Sequence, residues 1–116
     1  MEREIQETIA KAVEACQQKN AAQFAALFTL DAELVLAGGK KIQGRDAIAR
    51  ITADYFRQLE EISIKIAAMN IDGDRAVIQW TWYSRNRAGQ QKRRDNTIEL
   101  SFQGTAIARW QEAIAN

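Results

Sequence analysis

The sequence predicts an α+β domain in which helices come first and antiparallel strands follow. Apolar residues recur at helical spacing near the N-terminus and again over residues 48–59. From about residue 62 onward they alternate with polar residues instead, which indicates strands. Helices gathered on one face of an antiparallel sheet make an α+β fold. With 116 residues, we expect one domain, 1–116, built around one core.

The first half of the chain is predicted to hold three helices and two short strands. Apolar spacing indicates a helix over about residues 2–18, which Lys19 and Asn20 end. Asn20 can cap a second short helix, which we expect to end at Asp31. The remaining elements are a strand over 33–37, a turn at Gly38 and Gly39, a strand over 40–43, and a helix marked by Ile48, Ile51, Tyr55 and Leu59.

The second half is predicted to form three or four long antiparallel strands. Alternating apolar residues define strands around 62–66, 76–83 and 97–102, and a last one is expected over 106–114. Turns separate them at Asp72-Gly73-Asp74, at Asn86 to Gly89 and at Gly104.

Composition excludes several classes of function. The net charge is +1, so we expect no nucleic-acid partner. The sequence contains no run of 18 apolar residues, so we expect no membrane span. The chain has no histidine, which removes histidine acid–base chemistry and most zinc sites, and we expect neither a metal nor a cofactor. One cysteine, Cys16, and a charged N-terminus without an apolar segment favour the cytoplasm.

Four stretches of the sequence carry a resemblance to a known family. They are Phe24-Ala-Ala-Leu-Phe-Thr-Leu-Asp-Ala-Glu, Ile42-Gln-Gly-Arg-Asp-Ala-Ile, Val77-Ile-Gln-Trp-Thr-Trp and Ile107-Ala-Arg-Trp-Gln-Glu. In this order the chain resembles the nuclear transport factor 2-like superfamily, and within it the SnoaL-like branch. The resemblance implies a cone-shaped, cystatin-like barrel whose curved antiparallel sheet wraps around N-terminal helices. It also implies a pocket between sheet and helices, and a homodimer. Because many activities share this fold, it does not identify one.

Departures from the characterised relatives exclude their chemistries. The positions of the tyrosine and two acids of the ketosteroid isomerases fall near Ala12, Leu36 and Ile98, none of which moves a proton. Of the Asp-Arg-Asp set of the limonene epoxide hydrolases, only one acid has a counterpart, Glu112. The scytalone dehydratases and the cyclase after which the branch is named depend on histidine.

Strand parity predicts which side chains face the pocket. Ile78, Trp80 and Trp82 share one sheet face with Ile98, Leu100 and Phe102, while polar residues occupy the other. Trp110 and Glu112 join this face unless a bulge in the last strand reverses them. The predicted ligand-binding residues are Trp80, Trp82, Trp110, Ile48, Leu36, Phe102, Arg94 and Asn96, and the predicted catalytic residues are Glu112 and Tyr55.

Each of these residues also has a purely structural interpretation, which the sequence leaves open. The tryptophans fill the core or line a pocket. Glu112 is a buried acid–base group or an exposed glutamate paired with Arg109. Tyr55 donates a hydrogen bond to a ligand or directs its hydroxyl to solvent. Cys16 is expected to be a buried small apolar residue, and the basic hairpin after residue 84 a solvated one.

Three functions are compatible with these observations. The first is a module that binds a small, mostly apolar, aromatic or cyclic molecule. The second is an isomerase, cyclase or lyase that acts through enolisation, with Glu112 as base and Tyr55 or Arg94 steadying the oxyanion. The third is a non-catalytic dimerisation or regulatory domain that pairs through the outer sheet face, with Val77, Thr81 and Tyr83.

Overall fold

The alternation of apolar and polar residues organises most of the chain into strands, and three helices cover one face of the resulting sheet. The computed structural model describes residues 1–114, so Ala115 and Asn116 of the predicted domain lie outside the described residues. In chain order the elements are α1 (Glu2–Gln17), α2 (Ala21–Ala25), β1 (Phe28–Val35), β2 (Lys41–Gln43), α3 (Arg45–Arg57), β3 (Leu59–Asp72), β4 (Arg75–Asn86), β5 (Gln91–Gln103) and β6 (Ala106–Ile114).

Helix α1 ends where the sequence predicts, and its end is tied to the sheet. Lys19 adopts a left-handed conformation with φ 55°. Its N–H donates to the carbonyl of Cys16 at 3.0 Å, and the N–H of Asn20 donates to the carbonyl of Ala15 at 2.8 Å, which is the Schellman arrangement. The ammonium of Lys19 donates to the carbonyl of Glu60 at 2.9 Å. The helix end is thereby held against the start of β3.

The prediction that the second helix runs to Asp31 is wrong, because that stretch is a strand. Helix α2 ends at Ala25, and β1 begins at Phe28. Phe28 pairs in parallel with Ile107 of β6, and an irregularity between Phe28 and Glu33 interrupts the register. This irregularity hides the alternation that would have indicated a strand.

The six strands form one curved, unclosed sheet in the order β2-β1-β6-β5-β4-β3. Every pairing is antiparallel except that of β1 with β6. The concave face packs against the helices, and the predicted α+β fold is confirmed. Its most deeply buried side chains come from both layers: Ile5, Ile9, Phe28, Ile48, Ile78, Ile98 and Ile107.

A bulge in β6 decides which way the end of that strand faces. Ser101 pairs with Arg109 but Phe102 pairs with Ile107, so β6 carries one extra residue between these pairs. Ile107 and Trp110 are therefore both buried although they are three residues apart. Because the bulge precedes Trp110, Glu112 lies on the same concave face as Trp110.

Candidate functional site

A cavity of about 340 Å³ lies between the concave sheet face and the helices. That volume falls at the lower end of the range for small-molecule sites, about 300–1,000 Å³. Helices α1 to α3, the loop between β1 and β2, and strands β1, β2, β4, β5 and β6 all contribute side chains. Apolar residues form much of the wall, among them Phe24, Leu34, Leu36, Ile42, Ile51 and Phe56.

The structure brings most of the predicted site residues together around this cavity. Those that line it are Trp80, Trp82, Trp110, Leu36, Arg94, Asn96, Tyr55 and Glu112. Ile48 and Phe102 do not, and both are buried in the core. Phe102 is six residues from Asn96, the nearest lining residue on β5, which is about 20 Å along the strand. Ile48 lies one turn before the lining residues Ile51 and Thr52 on α3, but its side chain is fully buried in the core.

Several lining residues were not among the predicted site residues. Ile51 and Thr52 precede Tyr55 by four and three residues on α3, so helical spacing from Tyr55 could have identified them, and Phe56 follows Thr52 by four. Lys40 and Gly38 come from the loop between β1 and β2, whose approach to the cavity is a tertiary feature without a sequence signal.

The aromatic rings form one continuous wall of the cavity. Trp80 contacts Trp82 at a ring-centroid distance of 6.3 Å and Trp110 edge-on at 5.5 Å. Tyr55 stacks on Trp82 at 6.2 Å, with an interplanar angle of 30°. Trp80 is 3% exposed and Trp82 9%, yet both border the cavity. The two interpretations of these tryptophans, core and pocket wall, therefore both hold.

Glu112 is half-buried and lies inside the cavity. Its Oε2 accepts a hydrogen bond from Trp110 Nε1 at 3.0 Å. Burial raises the pKa of the Glu112 carboxyl, and this hydrogen bond and the positive charge of Arg94 oppose the rise. Arg109, the alternative partner, instead pairs with Glu33 at 3.0 Å.

Tyr55 and Cys16 border the cavity at different depths. Tyr55 is 37% exposed, so it lies at the rim, and burial of the rest of its ring raises the pKa of its hydroxyl. Cys16 is buried, and desolvation together with the nearby charge of Glu112 raises the pKa of its thiol to about 12. Cys16 is therefore an uncharged thiol at neutral pH, as a buried small apolar residue would be.

Three buried polar atoms on the β4–β5 part of the wall have no hydrogen-bond partner within residues 1–114. They are the indole Nε1 atoms of Trp80 and Trp82 and Oδ1 of Asn96. Asn96 lies directly opposite Trp80 in the ladder, and Arg94 lies opposite Trp82. A buried polar atom without a partner costs about 1–3 kcal/mol of stability.

The basic hairpin is divided between the two faces of the sheet. Arg93 lies on the outer face, 5.9 Å from the centroid of the Tyr83 ring, and pairs with Asp95. Arg94, on the inner face, borders the cavity together with Lys40. Within the described chain, neither Arg94 nor Lys40 has a carboxylate within ion-pair distance. Two exposed positive charges therefore border the cavity, and that of Arg94 acts on the Glu112 carboxyl without forming an ion pair with it.

The family model described as SnoaL-like domain matches residues 9–112, which is most of the chain. The chain belongs to the SnoaL-like family. The predicted resemblance to the nuclear transport factor 2-like superfamily and its SnoaL-like branch is confirmed. No curated protein matches the sequence of this SnoaL-like chain.

Solved structures share the fold of this SnoaL-like chain at low sequence identity. A hypothetical protein from Catenulispora acidiphila with a ketosteroid isomerase-like fold, in complex with trimethylamine, is 20% identical with a TM-score of 0.85, covering 94% of this chain and 85% of its own. TerC, co-crystallised with polyporic acid, is 16% identical with a TM-score of 0.82, covering 97% and 92%. An LEH-like epoxide hydrolase from M. tuberculosis is 14% identical with a TM-score of 0.86, covering 97% of this chain and 84% of its own.

Over residues 1–114, no three cysteine, histidine or acidic side chains lie close enough together to hold a metal ion. Nor does any helix in that range have both the length and the apolar character needed to cross a bilayer.

Proposed function

We propose that this SnoaL-like chain binds a small, mostly apolar, aromatic or cyclic molecule in the cavity between sheet and helices. The observation that carries the proposal is a cavity of about 340 Å³ walled by three tryptophans and Tyr55. Flat aromatic walls with a few polar groups suit ring compounds. TerC, whose fold is similar, was co-crystallised with polyporic acid, which supports a ligand of this kind.

A blocked cavity provides the test of binding. Ala37, at the mouth, is replaced by phenylalanine, and Ala88→Phe at the exposed hairpin tip is the matched control. We expect members of a panel of ring compounds to raise the melting temperature and quench tryptophan fluorescence in the parent chain and in Ala88→Phe. The responses should disappear in Ala37→Phe. Equal responses in all three proteins, or none in any, would contradict the proposal.

We infer a second candidate function, a cofactor-independent isomerase, cyclase or lyase, from the position of Glu112. A carboxyl inside an apolar cavity with a raised pKa is suited to accept and return a proton. Glu112 would remove the proton next to a ligand carbonyl and leave an enolate. The Tyr55 hydroxyl or the Arg94 guanidinium would stabilise its oxygen, and the protonated Glu112 would then return the proton to carbon.

Deuterium exchange tests this second function without knowledge of the natural substrate. The probe is 2-tetralone, a cyclic ketone with acidic C–H bonds, incubated in D₂O and followed by NMR. We expect exchange faster than in buffer, and loss of the acceleration in Glu112→Gln. Glu99→Gln, exposed on the outer sheet face, should exchange like the parent. Acceleration that survives Glu112→Gln would remove Glu112 from this role.

We also propose that the chain forms a homodimer through the outer sheet face. Val77 and Tyr83 on this face are 40% and 36% exposed and lie on one strand, so two copies could bury them around a twofold axis. The single cysteine, which is buried, supports the cytoplasm as the compartment.

A further inference from the structure

Glu112 brings a carboxyl group to the cavity, and one of its two oxygens has no partner. No other carboxyl group lines the cavity within residues 1–114. Oε2 accepts the hydrogen bond from Trp110 Nε1 at 3.0 Å. Oε1 accepts no hydrogen bond from the described chain, and it is not one of the partnerless polar atoms that are closed off there. Because Glu112 is half-buried and borders the cavity, Oε1 is open to a molecule bound in it.

The groups around Glu112 favour its ionised form without saturating it. Burial raises the pKa of the carboxyl, while the Trp110 hydrogen bond, the charge of Arg94 and the backbone N–H of Ala37 oppose the rise. Arg94 acts on the carboxyl without forming an ion pair with it. A carboxylate offers about four acceptor positions, so a donor supplied by a ligand would stabilise the charged form further.

We propose that the ligand is a neutral ring compound with a hydroxyl group that donates a hydrogen bond to Oε1 of ionised Glu112. This inference rests on the proposed binding function. The aromatic wall contacts the ring, and the hydroxyl supplies the donor that Oε1 lacks. Binding is therefore coupled to a proton: where Glu112 is protonated in the free chain, the ligand displaces that proton to solvent.

Other ligand classes satisfy Oε1 less well. A hydrocarbon, an ether or a ketone has no donor and leaves the ionised oxygen without a partner in apolar surroundings. A carboxylate brings a second negative charge next to Glu112, on which the charge of Arg94 already acts. An ammonium group has donors but meets the positive charges of Arg94 and Lys40, which border the cavity. A neutral hydroxyl avoids both charge conflicts.

Within the described lining, Glu112 is the group whose charge changes between pH 4 and pH 8. The other titratable groups are Arg94 on β5, Lys40 before β2, Tyr55 on α3 and Cys16 on α1. Arginine and lysine side chains stay protonated over this range. Burial raises the pKa of the Tyr55 hydroxyl, and it raises the pKa of the Cys16 thiol to about 12, so both stay uncharged. A change in binding over this range therefore reports on Glu112.

Two probes with the same ring and the same oxygen position differ only in the donor. They are 2-naphthol, which stays un-ionised here because phenols ionise near a pH of about 10, and 2-methoxynaphthalene. Equilibrium dialysis measures both affinities at steps from pH 4 to pH 8. At pH 8 we expect 2-naphthol to bind about tenfold more tightly, the effect of one hydrogen bond to a charged acceptor. At pH 4 the protonated carboxyl can donate to either oxygen, so the two affinities should converge.

A matched pair of variants assigns the preference to Glu112. Glu112→Gln keeps the size and a neutral acceptor but removes the charge, so the preference for 2-naphthol should shrink to about threefold or less and become independent of pH. Glu99→Gln makes the same charge change on the exposed outer face and should keep both the preference and its pH dependence. Each readout is a ratio of two affinities in one protein, so a loss of folded protein does not imitate it.

The outcomes separate this inference from the binding function on which it rests. Equal affinity for the two probes at every pH would overturn the hydroxyl assignment and leave the binding function standing. A preference that is constant from pH 4 to pH 8, or unchanged in Glu112→Gln, would overturn it equally. Binding of neither probe, while other ring compounds still raise the melting temperature, would overturn this inference alone. The absence of a response to every ring compound would overturn the binding function as well.

Discussion

Glu112 shows how far one residue can be interpreted from the sequence. Strand parity placed it with Trp110, but parity alone left open whether a bulge would turn both outward. The structure has a bulge, and it lies before Trp110, so both side chains face inward. The position of a bulge depends on the register in which two strands pair, and the sequence of neither strand alone predicts that register. Trp80 and Trp82 needed no such information, because their strand is regular where they lie.

Burial of Glu112 predicts a pH-dependent effect on stability. Its folded-state pKa lies above the unfolded value of about 4.3, so between these two values the folded chain binds more protons. The contribution of Glu112 to the free energy of unfolding is therefore present at low pH and lost as the pH rises. Relative to the parent, Glu112→Gln should be equally stable near pH 4 and gain stability toward pH 8.

Urea denaturation at steps from pH 4 to pH 8 measures this difference. Glu99→Gln, exposed on the outer face, is the control and should follow the parent. If the curves for Glu112→Gln and the parent run parallel across the range, the carboxyl is not desolvated in solution.

At the scale of elements, the sequence predicts those whose pattern is regular. Helix α1 and strand β6 have the predicted bounds to within a residue. Strand β1 starts five residues earlier than predicted, because its irregular first half pairs with β6 rather than following an alternation of its own. Strand β3 extends beyond the predicted 62–66 stretch for a related reason. Its outer half is largely exposed, so apolar alternation does not mark it.

The N-cap of helix α2 is expected to contribute to the stability of the domain. Asn20 Oδ1 accepts a hydrogen bond from the backbone N–H of Gln23 at 3.0 Å. Asn20→Ala removes this cap and should lower the free energy of unfolding by about 1 kcal/mol. Asn20→Asp keeps an acceptor and should lose less than half as much. Chemical denaturation measures both, and equal losses would show that the cap does not contribute.

At the scale of the whole molecule, the cavity is the feature that the sequence does not encode locally. It exists because the curved sheet and the helices stand apart near Tyr55 and meet near Phe102. Ile48 and Phe102 are apolar and face inward, as the lining residues do. The spacing of apolar residues along a helix or strand therefore cannot distinguish a core residue from one in the cavity wall. The resemblance to the family predicted a pocket between sheet and helices, and the structure shows how far along each element it extends.

The proposed homodimer is tested at the same scale. Val77→Lys places a charge on the outer face where two copies would meet, and Gln6→Lys makes the same charge change on the exposed side of α1. We expect light scattering at micromolar concentration to give twice the 13.1 kDa chain mass for the parent and for Gln6→Lys. Val77→Lys should give a single chain mass, because a charge buried in an apolar interface opposes association. A single chain mass for the parent would contradict the proposed homodimer. Twice the chain mass for Val77→Lys would show that the interface lies on another surface.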